Sequence, residues 1–281
     1  MNAPRPKKNC KLRPSPALPL VSHRIRGFFN GFCVTLDDPD DMKTVISMGY
    51  FGKANLSRNY PHFGVKQPEI VFKRVYENRK RHANDKPRKI VVLSDDLDDL
   101  TNFRPEFRLD SSGLRESVNL GLEEAFFLAT AINCLDVYDE VCLSPEQLWE
   151  VFKKSDKYFA QNYIAYYYFR AKNWVVKPGI KFGGDFLLYK QGPPFYHASY
   201  VVIICVVDGD LKPIKSQNRR SMRKTHLMGL NRLCETARKE LLICEIVCPG
   251  VSPDSIPFNE IGKFTIKETI MKRWTPQMDQ N

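Results

Sequence analysis

The apolar run Val201-Val202-Ile203-Ile204-Cys205-Val206-Val207 is the longest in the chain, and its length decides what it is. A bilayer helix needs about 20 apolar residues; this run has the length of a strand, and no segment of the sequence reads as transmembrane. The 281 residues suffice for two modest domains or one large one with a substantial core, so no disulfide staple is required. Strand signals surround the run. Trp174-Val175-Val176, Phe186 to Tyr189 and Phe195 to Val206 read as strands, Gly179 and Gly183-Gly184 punctuate them, and Gly192-Pro193-Pro194 closes a hairpin.

That hairpin places chemistry at its ends. Tyr189 ends one strand and His197 stands in the next, where alternation puts His197 on a face with Phe195 and Ser199, opposite Tyr196 and Ala198. Tyr189 approaches His197 across the turn if residues 191–195 form a loose loop. Downstream, Leu227, Leu230, Leu233 and Ala237 recur at helical spacing within Thr225 to Ala237. A helix running almost to Lys239 brings Arg232 and Lys239 near one face, just before the apolar alternation Leu241 to Val247.

Phenol, imidazole and ammonium together suit metal-free phosphodiester cleavage. Cutting RNA this way needs a base for the 2′-hydroxyl, an acid for the departing 5′-oxygen, and a cation for the charge on five-coordinate phosphorus. Histidine, with a reference pKa of about 6.5, is poised for proton transfer, and lysine stays charged. Tyrosine, at about 10, is a poor base unless cations lower its pKa. The plainer alternatives are a strand aromatic, a hydrogen-bonded strand histidine and a surface lysine, and spacing alone does not choose between them.

A formal net charge of +11 favours polyanionic partners, nucleic acid first and an acidic membrane surface second. The eight cysteines contain no Cys-x-x-Cys pair; most sit among aliphatic residues and read as reduced small hydrophobes of a cytosolic or nuclear protein. Residues 1–21 read as a disordered basic tail without a signal-peptide apolar region. Arg5-Pro6-Lys7-Lys8 reads either as a weak nuclear-import signal or as part of a solvated tail. The basic cluster Arg219, Arg220, Arg223 and Lys224 reads either as a phosphate track or as a solvated loop.

The expected organisation is α/β (α+β). An amino-terminal α/β domain covers 22–155 with a charged insertion at 64–118, a carboxy-terminal domain with a mixed sheet flanked by helices covers 156–275, and a tail covers 276–281. Asp37 to Asp41 starts a helix, Leu120 to Leu135 has helical spacing, Ser144-Pro145 caps another helix, and Lys157 to Lys172 forms a third. The aromatic residues of that third helix read as core, not as a base-stacking platform. In the insertion, Ile90 to Leu93 reads as a short strand. Arg79-Lys80-Arg81-His82 and Asp95-Asp96-Leu97-Asp98-Asp99 read as solvated charge.

One rival chemistry is a magnesium-dependent DNA nuclease using Asp185, Asp210 and Lys212, although Asp208-Gly209-Asp210 followed by Pro213 reads more naturally as a turn.

The block from Tyr168-Phe169-Arg170 through Lys181-Phe182-Gly183, Asp185 to Tyr189 and Gly192 to Tyr200 resembles the catalytic subunits of tRNA-splicing endonuclease, most of all the eukaryotic type that cuts the 5′ splice site. Gly49-Tyr50-Phe51-Gly52-Lys53, Leu56-Ser57-Arg58, Leu122 to Leu128 and Arg238 to Leu241 add to the likeness, which spans roughly 22–60 and 118–275. The resemblance implies that Tyr189 is the general base, His197 the general acid and Lys239 the stabilising cation. It further implies that Arg232 and Trp274 clamp a base beside the cut, often at the opposite active site of the assembly. The implied reaction cleaves precursor tRNA to a 2′,3′-cyclic phosphate and a 5′-hydroxyl without metal or cofactor. The implied setting is a nuclear heterotetramer with a second catalytic subunit and two structural subunits, away from membranes. A non-catalytic RNA-binding or scaffold subunit of the same assembly is the alternative within the family.

Overall fold

A computed structural model describes residues 5–7, 23–55, 89–92, 106–109, 116–248, 250 and 252–272. Leu56-Ser57-Arg58, the two charge runs of the insertion and Trp274 lie outside the described residues. Contacts divide the chain into one unit of Met1–Lys53 with Val118–Asn281 and a second of Ala54–Ser117. In the second unit, β4 (Lys89–Val92) pairs antiparallel with β5 (Glu106–Leu109).

The first unit holds two sheets. In the amino-terminal sheet, β1 (Ile25–Phe29) and β2 (Val34–Leu36) form an antiparallel pair, β6 (Val118–Leu120) joins β2 antiparallel, and β7 (Leu135–Asp139) joins β1 parallel. β3 (Lys53–Ala54) and β8 (Val141–Cys142) form the edges. Helix α1 (Pro39–Gly49) begins where the aspartates predict, with the Asp38 carboxylate accepting from the amides of Asp40 and Asp41. Helix α2 (Leu122–Thr130) is shorter than its apolar spacing suggests: Asn133 turns left-handed, at φ 57°, and the chain enters β7.

Helices α3 (Pro145–Ser155) and α4 (Phe159–Ala171) complete the aromatic core. Ser144 and Gln147 exchange the reciprocal bonds of a capping box at the start of α3. Phe126 of α2 meets Trp149, Phe159 and Tyr163 at centroid distances of 5.2, 5.7 and 4.7 Å. Phe159, Tyr163, Tyr166 and Phe169 are all at most 2 % exposed, so the aromatic face of α4 is core, as its spacing implies. Burial pushes the Tyr163 phenol up to about 12.

The carboxy-terminal sheet runs β13-β12-β11-β10-β9, formed by β9 (Val175–Pro178), β10 (Phe186–Tyr189), β11 (Tyr200–Val207), β12 (Glu240–Val247) and β13 (Thr265–Met271). Every residue of β11 is buried, which explains the unbroken apolar run: a central strand covered on both faces has no solvent side to alternate with. Its pairing with β12 is parallel, Tyr200 with Glu240 through Val207 with Val247. That pairing requires a long crossover, which carries α5 (Lys224–Thr236). Half-buried Leu227 and Leu230 and buried Cys234 of α5 pack over Leu187, Val201, Ile203 and Leu241.

One expectation changes here. The third strand starts at Tyr200, not Phe195. Phe195 and Tyr196 both donate their amides to Gly192 O, so the turn extends to Tyr196 and the alternation fails: Phe195 and Ala198 are buried while His197 is exposed. Helix α5 ends at Thr236 with its cap at the expected Ala237, and Arg238 then turns left-handed at φ 54°. Residues 5–7, inside the segment expected to be a disordered tail, lie beside this turn, with Pro6 bridged antiparallel to Tyr196.

Cysteines 134, 205, 234, 244 and 248 are buried and free, Cys33 is half-buried and Cys142 is exposed. Burial pushes the Cys134 thiol up to about 11 and that of Cys205 to about 12. No described helix is long and apolar enough to cross a membrane.

Candidate functional site

Three strand ends meet at one end of the carboxy-terminal sheet. Tyr189 is the last residue of β10, Lys239 immediately precedes β12, and His197 lies three positions ahead of β11. Leu188 pairs with Tyr200, and Tyr200 pairs with Glu240, so the ends lie level. Two hydrogen bonds tie them: the Ser199 amide donates to Leu188 O at 2.8 Å, and the Glu240 amide donates to Ser199 O at 3.0 Å.

Tyr189 and Lys239 occupy the same side of the sheet, under α5. The Tyr189 ring packs on the cluster of Leu187, Val201, Cys234 and Leu241, and Phe182 packs on it too. The Lys239 ammonium sits 4.5 Å above the Phe182 ring centre and donates to Ala237 O at 3.1 Å, an arrangement that holds a cation without neutralising it. Its placement begins in the backbone. The left-handed Arg238 turns the chain out of α5, and the Lys239 amide closes the helix end by donating to Cys234 O at 2.9 Å.

The electrostatics follow from this setting. Burial holds the Tyr189 phenol above its ordinary value and the Lys239 ammonium below its own. His197 is also held low, first by partial desolvation and then by the charges of Lys7, Lys239 and Arg5. A neutral imidazole and a neutral phenol therefore stand beside cations. Among the described residues, neither the Tyr189 hydroxyl nor the His197 ring has a hydrogen-bond partner.

The turn carrying His197 is braced by Tyr50, the residue that caps the end of α1. Gly192 has φ 119°, and a Cβ there would lie 2.4 Å from Tyr50 Cδ2, so only glycine fits against that ring. Tyr50 also meets Phe195 edge-on at 6.1 Å. The Gly49–Lys53 motif that presents Tyr50 is pinned in turn. Gly52 donates to Glu124 Oε2 at 3.0 Å, Lys177 Nζ donates to Gly52 O at 2.7 Å and to Glu124 Oε1 at 3.0 Å, and Arg170 donates to Gly49 O at 2.9 Å. Sequence reasoning named the motif without its purpose. Nothing local in Gly49 to Lys53 reveals that it supports a turn more than a hundred residues away.

The remaining candidates stand elsewhere. Arg232 is exposed on α5, and among the described residues no hydrogen bond, ion pair or ring contact joins it to the site. Asp185 is committed to structure, its Oδ2 accepting from the Ile204 amide and its Oδ1 pairing with Arg220, both at 2.9 Å. Burial raises its pKa, with Arg220 opposing. Asp210 and Lys212 pair at 3.5 Å in an exposed turn beyond the end of β11. The nuclease reading based on Asp185, Asp210 and Lys212 thus lacks a converging carboxylate set, and among the described residues no three His, Cys, Asp or Glu side chains are grouped to hold a metal ion. Of the basic cluster, Arg219 pairs with Asp156 and Arg220 with Asp185, while Arg223 and Lys224 at the start of α5 lack an acidic partner among the described residues.

The family model described as tRNA intron endonuclease, catalytic C-terminal domain, matches residues 159–249, which contain Tyr189, His197 and Lys239. The chain is similar to the tRNA-splicing endonuclease subunit Sen2 of Gallus gallus, 41% identical over 59% of this chain and 36% of that protein. It is 31% identical to the Saccharomyces cerevisiae subunit SEN2 over 66% of this chain and 50% of that one. The probable subunit sen2 of Schizosaccharomyces pombe is 25% identical over 89% of this chain and 84% of its own length. The match to the vertebrate relatives covers little more than a third of their length. The resemblance read from the residues is met over the segment 159–249, which matches that family model.

Proposed function

We propose that this chain, built around a tRNA intron endonuclease catalytic domain, is a catalytic subunit of a tRNA-splicing endonuclease that cuts intron-containing precursor tRNA at the 5′ splice site. What supports the reading is that β10, β11 and β12 end level, with Tyr189 and Lys239 at two of those ends and His197 in the turn that leads into the third. The products are a 2′,3′-cyclic phosphate and a 5′-hydroxyl. The 2′-oxygen bonds to phosphorus and loses its proton to a base, and the P–O5′ bond breaks as an acid supplies a proton to the leaving oxygen. Lys239 offsets the charge that accumulates on the phosphoryl oxygens.

The family assignment makes Tyr189 the base and His197 the acid. In the free protein burial favours the protonated phenol, and desolvation with the neighbouring cations favours the neutral imidazole, so that assignment needs a proton lost from the phenol and one gained by the imidazole. A phosphate among Lys7, Lys239 and Arg5 favours this by offsetting the cations that depress His197. Arg232, exposed on α5, is assigned with Trp274 to a base clamp serving a second active site of the assembly. The working form is a nuclear heterotetramer with one further catalytic and two structural subunits. Imaging the tagged chain tests the nuclear placement, which an exclusively cytoplasmic signal contradicts.

The decisive test co-expresses the chain with candidate partner subunits and maps the ends cut from a precursor tRNA. His197→Ala is expected to abolish one cut, a loss of roughly 10²- to 10⁴-fold, while assembly and tRNA binding persist. If both junctions are still cut at the original rate, the catalytic assignment is wrong. Cleavage should also survive a chelator; its loss revives a metal-dependent mechanism.

A further inference from the structure

The segment Arg5-Pro6-Lys7 runs antiparallel to Phe195-Tyr196-His197. The Lys7 amide donates to Phe195 O at 2.7 Å, the His197 amide donates to Arg5 O at 3.2 Å, and Pro6 is bridged to Tyr196 between them. This is strand pairing of two short edges, and it accommodates the proline: at the bridged position between the two hydrogen bonds, no amide hydrogen is needed. Lys7 adds a third tie, its ammonium donating to Pro193 O at 2.5 Å. A three-residue segment is thus fixed at both ends to the turn that carries His197.

Its side chains bring charge without neutralisation. Arg5 and Lys7 are exposed, and neither has a carboxylate partner among the described residues. Around His197 the charged groups are Lys7, Lys239 and Arg5, and Lys190 lies close by, 5.8 Å from the Tyr196 ring centre. Among the described residues, none of these cations is paired with a carboxylate. Gathering cations without an anion is unfavourable, and the arrangement becomes favourable when a phosphate backbone enters and releases its counterions.

We propose that residues 5–7 form an added strand of the catalytic turn, and that Arg5 and Lys7 hold phosphates of the RNA flanking the bond cut beside His197. The inference rests on the endonuclease reading above and adds to it two substrate-binding residues from the opposite end of the chain. The arm then contributes to binding, while bond cleavage stays with Tyr189, His197 and Lys239. Because these cations also hold the imidazole low, removing them moves its titration upward, toward the ordinary histidine value of about 6.5.

The test uses the assembled endonuclease carrying Arg5→Ala with Lys7→Ala, and separately Arg5→Lys with Lys7→Arg. Binding of labelled precursor tRNA is measured against salt alongside cleavage. Two lost phosphate contacts predict affinity lower by on the order of 25- to 60-fold at about 0.1 M salt, and a log–log salt slope shallower by about 1.4–1.8. The charge-conserving pair should restore both. An unchanged affinity and slope in the double-alanine variant overturns the proposal, as does faster cleavage, which would make the segment a strap across the site. The two readings separate cleanly. If His197→Ala still cuts while the double-alanine variant loses its salt slope, the catalytic assignment fails and the arm's phosphate contacts stand.

Discussion

Two clusters of polar side chains within the first unit have opposite fates. Around Glu124, every hydrogen-bonding group is engaged: the carboxylate accepts from the amides of Gly52 and Gly121 and pairs with Lys177. Around Tyr189, His197 and Lys239, the phenol and imidazole have no partner among the described residues, and the ammonium meets only a carbonyl and a ring face. Both clusters combine cations with proton-bearing groups, so residue type does not separate them. What differs is satisfaction. A buried charge left unpaired is costly, so the Glu124 cluster is closed and structural; half-exposed groups can wait for a ligand, and the second cluster is open.

The sharpest way to break this contrast is to open the closed cluster. Glu124→Ala strands the buried Lys177 ammonium and two amide hydrogens, and should cost about 3–5 kcal/mol, read as a lower denaturation midpoint. Glu124→Gln, which keeps the acceptor, should cost less. Equal losses in the two variants would mean that the pairing matters little.

The next largest effect comes from the open cluster and should appear only in activity. Lys239→Met in the assembled enzyme is expected to slow cleavage by roughly 10²- to 10³-fold while leaving stability within about 0.5 kcal/mol. A large stability loss without a rate loss would move Lys239 into the structural class.

Gly192→Ala probes the link between the two. The added methyl group meets Tyr50 Cδ2 at 2.4 Å in a backbone conformation that disfavours side chains, so roughly 1–3 kcal/mol of stability should be lost. Cleavage should fall with it as the His197 turn shifts. Wild-type cleavage at full stability would show that the brace is dispensable. The smallest effect is expected at Arg232, exposed and without a partner among the described residues. Arg232→Ala should change stability by no more than about 0.5 kcal/mol and leave the cut made by this subunit at its wild-type rate; a slowed cut would bring Arg232 into this site.

Much of the carboxy-terminal sheet was legible in the residues. The unbroken run Val201 to Val207 names a strand buried on both faces, and the alternation at Leu241 to Val247 names its neighbour, because burial writes itself directly into side-chain polarity. The helix around Tyr163 was equally plain. The extent of the third strand was not: Phe195 to Ser199 has the composition of a strand, yet Gly192 O captures two successive amides and keeps the segment in a turn. The exposure of His197 follows from that turn.

The sequence by itself determined the core of β10, β11 and β12 and the helices around Tyr163 and Leu230, because hydrophobic period is a local property. Only the tertiary structure decided that β10, β11 and β12 end level, that Tyr50 supports the turn at Gly192, and that Arg5 and Lys7 reach His197. These depend on register and on contacts across more than a hundred residues, where the free energy of a pairing belongs to the assembled surfaces and to neither segment alone.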